Sequence, residues 1–239
     1  MKRLVIILAL LSIPAWATGP TYIATSSCGT TNSGSNCTLT TTSGTGHLLV
    51  VGLWYQTSGG PVQTVTDSAG DSFVSASCTF TWSTGSGEIW YFPSTTGNIT
   101  TVTATLTGGA TYSMMVWEAS GTAATAPLDK CTPLSAQTAA NPTGGAVVIS
   151  QTQEVVFGFL VETAGTLTSI FSGNPFTYDA GPSNFWGGAH YQSSSAGTFT
   201  PQWTNGFSRL YGEVTVSFGV SAPTGKCAAC DISELRWPE

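Results

Sequence analysis

Charge is scarce in this chain: Asp, Glu, Lys and Arg together make up 8% of its 239 residues. Histidine occurs only twice, at His47 and His190, and no H-E-x-x-H pair is present, so the local ligand set of a zinc hydrolase is missing. There is no G-x-S-x-G elbow and no glycine-rich phosphate loop, which removes two further catalytic signatures. Helical periodicity is almost absent. Basic residues are especially few, six in all, and two of them, Lys2 and Arg3, sit at the extreme N-terminus. The other four stand against 12 acidic residues, a net charge near −8, which argues against nucleic acid as a partner.

Long apolar runs are also missing after residue 17, so no later segment is expected to span a membrane. The one such run opens the chain. In MKRLVIILALLSIPAWA the charged start, the short apolar stretch and the closing A-W-A read as a secretory signal peptide cleaved after Ala17. No cysteine follows it directly, against lipoprotein processing. The expected organisation is a signal peptide at 1–17, one domain at 18–220, and a linker with a short tail at 221–239. Such a protein is secreted or held at the cell surface.

What is present is hydroxyl-rich and aromatic: 8 Trp, 7 Tyr and 11 Phe are too many for a disordered polar chain. Strand-like runs bounded by Gly, Pro, Asn and Ser recur throughout. HLLVVGLWY (47–55) and VVFGFLV (155–161) are apolar on both faces and read as central strands. In GEVTVSFGV, Val214, Val216, Phe218 and Val220 share one face and Glu213, Thr215 and Ser217 the other, the alternation of a sheet with one wet side. ITTVTATL likewise turns Thr101, Thr103 and Thr105 outward. Further strands are expected near 21–25, 38–42, 62–67, 72–77, 87–92, 111–119, 146–150, 166–171, 186–193 and 198–203, with 121–145 as an irregular crossover. About a dozen short strands in one domain predict an all-β fold, a two-sheet antiparallel β-sandwich of jelly-roll or Greek-key, concanavalin-like topology.

Six cysteines, Cys28, Cys37, Cys78, Cys131, Cys227 and Cys230, suit an exported, disulfide-bonded protein, and fifteen pairings are available to them. Cys28 and Cys37 bracket one polar loop, which favours their pairing. Cys78 with Cys131 then follows by elimination, because the CAAC at 227–230 stands alone in the tail. That motif follows a Pro/Gly segment rather than opening a helix, so it reads as a terminal staple or an intermolecular link and not as a redox pair. The tail sequence DISELRW has capping-box spacing but is too short for a stable helix by itself.

The order of the segments LLVVGLWY, VQTVTDSAGDSF, GEIWYFPSTTGNITTVTATL, YSMMVWEASGTAATAPLD, SSAGTFTPQWT and EVTVSFGV resembles a recurring exported jelly-roll module. That module occurs in bacterial surface and extracellular proteins and in some phage structural proteins. The distinctive combination involves Asp67, Gly70, Phe73, Glu118, Gly121 and Asp129, and the resemblance covers about residues 21–220. It implies a jelly-roll fold and no assigned catalytic activity.

Candidate sites are few. Asp67 and Asp71, four apart around Gly70, read as turn chemistry: the Asp67 carboxylate accepts the backbone N–H of Ala69 or Gly70, and Gly70 takes the positive φ that closes a hairpin. No cofactor is expected. Calcium would need Asp129 or loop carbonyls to converge on that pair. Glu118 shares a face with Met114 and Val116 and reads as a partly buried carboxylate bonded to the following loop, with Asp129 beyond it. Glu88, which faces the same way as Trp90, would suit a jelly-roll glycoside hydrolase if paired with Glu118 or Glu213. Trp186, Tyr191, Trp203 and Tyr211 stand near Gly, Asn and Gln, and in loops such rings would stack on sugars. The expectation is a non-enzymatic binding or adhesion module for a glycan or another surface partner. The alternatives are a self-associating structural subunit and a two-carboxylate hydrolase.

Overall fold

The computed structural model describes residues 19–220 except 57–59, 83–84, 110, 164–166 and 182–184. The leader at 1–17 and the tail at 221–239, with Cys227, Cys230 and the DISELRW turn, lie outside the described residues. The chain is all-β. The described residues form 17 strands, numbered β1 to β17 in chain order, which pair antiparallel in five sheets. Among the described residues no helix is long and apolar enough to cross a membrane.

Sheet I has the order β1 (Thr21–Asn32), β8 (Thr111–Ser120), β3 (Leu48–Gln56), β6 (Gly85–Phe92) and β5 (Val74–Trp82). Sheet II has the order β13 (Thr177–Ala180), β14 (Trp186–Ser193), β11 (Glu154–Glu162), β17 (Arg209–Gly219) and β9 (Leu128–Ala139). The two runs without a polar face thus form β3 and β11, the middle strand of each sheet, where both faces and both edges are covered. A three-stranded sheet joins β2 (Asn36–Thr38), β7 (Thr101–Leu106) and β4 (Val62–Asp67). Two small pairs complete the fold: β10 (Val147–Ile149) with β15 (Gly197–Phe199), and β12 (Ser169–Ile170) with β16 (Trp203–Thr204).

Three apolar clusters follow from this arrangement. The central one takes Val50 and Trp117 from sheet I and Phe157, Phe159, Val216 and Phe218 from sheet II. Behind sheet I, Leu49, Val51 and Leu53 meet Val65, Val102 and Leu106 of the three-stranded sheet. Behind sheet II, Val156 and Leu160 meet Val147, Ile149 and Trp203 of the small pairs. The expected pair of sheets therefore gives way to several. The doubly apolar β3 and β11 need cover on their outer faces as well, and the short strands supply it.

This layering corrects the reading of β17. Val214, Val216 and Phe218 do face the central cluster, but Glu213, Thr215 and Ser217 on the other face are 0% exposed rather than wet. Thr101, Thr103 and Thr105 remain half-buried on the outer face of β7, as their alternation predicts.

Strands β9 and β13 form where the sequence shows no strand signal. The β9 segment LDKCTPLSAQTA lacks alternation and is mostly half-buried or exposed, yet it pairs along β17 as an edge strand. Pro133 is tolerated there because an edge strand leaves half its N–H positions unpaired. The expected strand at 38–42 is instead β2, which ends at Thr38.

Cross-links join the layers. The Cys28–Cys37 disulfide ties β1 to β2, and Cys78–Cys131 ties β5 to β9, the facing edges of sheets I and II. On the opposite edge the Tyr22 ring stacks on His190 at 3.6 Å. There Asp179 accepts the Trp117 indole N–H at 2.8 Å and lies 2.9 Å from His190 Nδ1. Glycine lets the large rings in. A Cβ on Gly188 of sheet II would lie 2.3 Å from the Trp117 ring of sheet I, and one on Gly52 of sheet I would lie 2.7 Å from Phe159 of sheet II.

Candidate functional site

At one end of the central layer, the two large sheets part around a cleft of about 460 Å³ lined by Trp54, Trp82, Glu162, Thr163 and Phe185. Trp54 comes from β3 and Trp82 from the end of β5, so both indoles are carried by sheet I. Glu162 ends β11 and Thr163 follows it, and Phe185 immediately precedes β14. Trp54 and Phe185 are half-buried and pack against the central cluster, with ring centroids 6.2 Å apart at 71°. Gly85, which opens β6, lets the Trp54 indole lie close to the backbone, since a Cβ there would be 2.5 Å from Nε1. Glu162 is buried and accepts a hydrogen bond from the Asn205 amide. The result is an aromatic slot with a carboxylate and a hydroxyl at its margin.

These are not the rings singled out by sequence. Trp186 lies within β14, fully buried, edge-on to Phe159 at 6.0 Å. Trp203 is fully buried behind sheet II, and Tyr211 is 4% exposed with its hydroxyl donating to the Thr143 carbonyl at 3.1 Å. Tyr191 is half-buried between Phe176 and Phe199. The neighbouring Gly and Gln residues mimic loop composition, but Gly187 and Gly188 are strand positions that make room for other rings. The sequence signal for Trp82 and Phe185 is that each borders a Ser/Gly or Ser/Asn cluster typical of a strand end.

The carboxylates are dispersed. Glu118 and Glu88 both face the cluster behind sheet I. Glu118 is opposite Leu49 of β3 on one flank and Glu88 opposite Leu53 on the other. Four residues of strand and two strand spacings set them about 13 Å apart along β3 and roughly 9–10 Å across it. Glu213 is opposite Leu160 in the other large sheet and faces the far cluster. No two of the three share a groove in the manner of a glycosidase pair. Glu118 accepts the Gly44 N–H at 2.8 Å and lies 2.6 Å from His47 Nδ1, so its partners come from the segment before β3 and not from the following loop. Burial raises the Glu88 carboxyl above the ordinary range, with Trp90 and Tyr55 pulling it partly back. Burial also pushes Glu213 up to about 8, against the opposing pull of Thr215 and the Gly145 N–H.

VTDSAGDSF forms a turn, with Asp71 rather than Gly70 as the second donor to the Asp67 carboxylate. Asp67 Oδ1 accepts the N–H groups of Ala69 at 2.9 Å and Asp71 at 3.0 Å, and Gly70 has φ +88°. The turn does not close a simple hairpin. β4 belongs to the three-stranded sheet and β5 to sheet I, so the turn is a corner between layers, with one bridge at Thr66–Ser72. Asp129 lies elsewhere, in β9. Among the described residues no group of three or more His, Cys, Asp and Glu converges as a metal centre.

No protein-family model, curated protein or solved structure matches the chain. The chain is thus assigned to no family; it is all-β, with several antiparallel sheets and two disulfides among the described residues. Those disulfides are consistent with an oxidising compartment outside the cytoplasm.

Proposed function

We propose that this chain is an exported, non-catalytic binding module of jelly-roll sandwich type that takes a sugar ring in the cleft between its two large sheets. The observation that carries the reading is the slot walled by Trp54, Trp82 and Phe185 with Glu162 and Thr163 beside it. Indole and phenyl faces stack on the C–H face of a pyranose, and an adjacent carboxylate and hydroxyl bond its hydroxyls. The volume lies within the ordinary range for small-ligand sites. The sandwich description rests on the central cluster that the two large sheets share. Assembly by strand addition has less support, because the edge strand β9 carries Pro133 and Lys130, both of which discourage pairing with another chain.

A glycan array probed with the secreted protein tests the reading. Phe185→Ala and Trp54→Phe are expected to weaken binding to the captured glycan at least tenfold. Phe207→Ala, at a ring 61% exposed and outside the cleft, leaves it unchanged. Unaltered binding by both cleft variants, or no glycan captured at all, removes the proposal.

A further inference from the structure

Four buried oxygens at the end of sheet II form no hydrogen bond of full geometry: both carboxylate oxygens of Glu154, the Ser217 hydroxyl and Asp129 Oδ2. The Ser217 hydroxyl and the Gln151 N–H are still near enough to pull the Glu154 carboxyl partly down. Three strands bring them together. Glu154 opens β11 opposite Gly219, and Ser217 is opposite Val156, so the two are diagonal neighbours on the outer face. The β9 register shifts between the pairs Ser217–Lys130 and Phe218–Leu128, leaving Asp129 as the extra residue of a bulge. Such a bulge re-aims its side chain, here toward the other two. Glu154 and Ser217 are 0% exposed. The chain from 123 to 127 folds over the end of β17, with the Ala123 N–H bonded to the Gly219 carbonyl and the Gly219 N–H to the Pro127 carbonyl.

A fully buried carboxylate beside a second, half-buried one is costly unless a proton or a cation lies between them. Burial first, and then the neighbouring Asp129 charge, raise the Glu154 carboxyl. Lys130 does not resolve this: its Nζ bonds Asp129 Oδ1 at 3.1 Å on the exposed side, leaving Oδ2 without a partner. We infer that Glu154, Asp129 Oδ2 and Ser217 Oγ form a binding site for one hard divalent cation of the calcium class. The donors are all oxygen, the preference of calcium and magnesium rather than of zinc. Two carboxylates and a hydroxyl provide up to four ligands, and calcium, which accepts six to eight in flexible geometry, completes its shell with carbonyls or water. The site uses neither the Asp67 turn nor the aromatic cleft, so it stands independently of the proposed function.

Calcium chloride titrated calorimetrically into the secreted, metal-stripped protein is expected to show one site with a dissociation constant on the order of 10⁻⁴–10⁻³ M, as for other extracellular modules. The melting temperature should rise with calcium over EDTA. Glu154→Gln and Ser217→Ala, both close in volume to the native residues, should weaken binding at least tenfold and lose that rise. Near-UV circular dichroism of each variant in EDTA checks that it is folded. No calcium-dependent heat or melting shift in the native protein, or a shift retained in folded Glu154→Gln, overturns the inference.

Discussion

Glu213 lies on β17 with its carboxyl fully enclosed, held by the Gly145 N–H at 2.7 Å and the Thr215 hydroxyl at 2.7 Å. Its folded pKa of about 8 exceeds the ordinary 4.5, so the folded protein keeps a proton that the unfolded chain has lost between those two values. The stabilisation is complete below about pH 4.5 and disappears as pH rises to 8, at about 1.4 kcal/mol per unit. Glutamine carries no such proton. The stability difference between the native protein and Glu213→Gln is therefore expected to shrink by on the order of 4 kcal/mol between pH 5 and pH 8. Urea unfolding at the two pH values measures it, and parallel curves would contradict the enclosed-acid account. At the corner between layers, Asp67→Ala removes the carboxylate oxygen that accepts two turn hydrogen bonds and should cost about 1–2 kcal/mol in the same assay. The Asp67 turn was legible from sequence because its partners are two and four residues away. The enclosure of Glu213 was not, because it depends on Gly144 and Gly145, whose approach a Cβ on Gly144 would block at 2.7 Å.

At the scale of elements, the two disulfides close loops of different length. Their sequence separations are 53 for Cys78–Cys131 and 9 for Cys28–Cys37. Chain entropy alone assigns about 4 kcal/mol to the first and about 2.5 kcal/mol to the second. The double serine variant at Cys78 and Cys131 should accordingly lose more denaturant resistance than the one at Cys28 and Cys37. The reverse order would show that the β1–β2 staple holds the second cluster together by more than entropy. Glycine positions within strands set a second expectation. Gly188→Ala puts a methyl group into the Trp117 ring and should cost about 1–3 kcal/mol, read from the unfolding midpoint. Strands β3 and β11 were legible because both their faces are apolar over seven or eight residues. The edge strand β9 was not, since its pairing with β17 is long-range and its exposed positions carry no pattern to read.

For the whole molecule, the three clusters share strands: β3 supports the central one and the one behind sheet I, and β11 supports the central one and the one behind sheet II. Losing one layer exposes an apolar face of the next, so unfolding is expected to be a single transition. Trp117 and Trp186 report the centre and Trp203 the outer cluster, so tryptophan fluorescence and far-UV circular dichroism should give coincident midpoints. Two separated midpoints would show the layers to be independent. The sequence by itself determined the all-β class, the two middle strands, the pairing of four cysteines and the Asp67 turn. These follow from residue type and near-neighbour spacing, except Cys78–Cys131, which follows by elimination once Cys28 and Cys37 are joined. Only the tertiary structure decided that the outer faces are covered, that Trp186 and Trp203 are enclosed while Trp54 and Phe185 line a cleft, and that Glu154, Asp129 and Ser217 meet. Period-two alternation says which side chains share a face. What lies against that face depends on pairings between residues tens of positions apart, which local pattern does not encode.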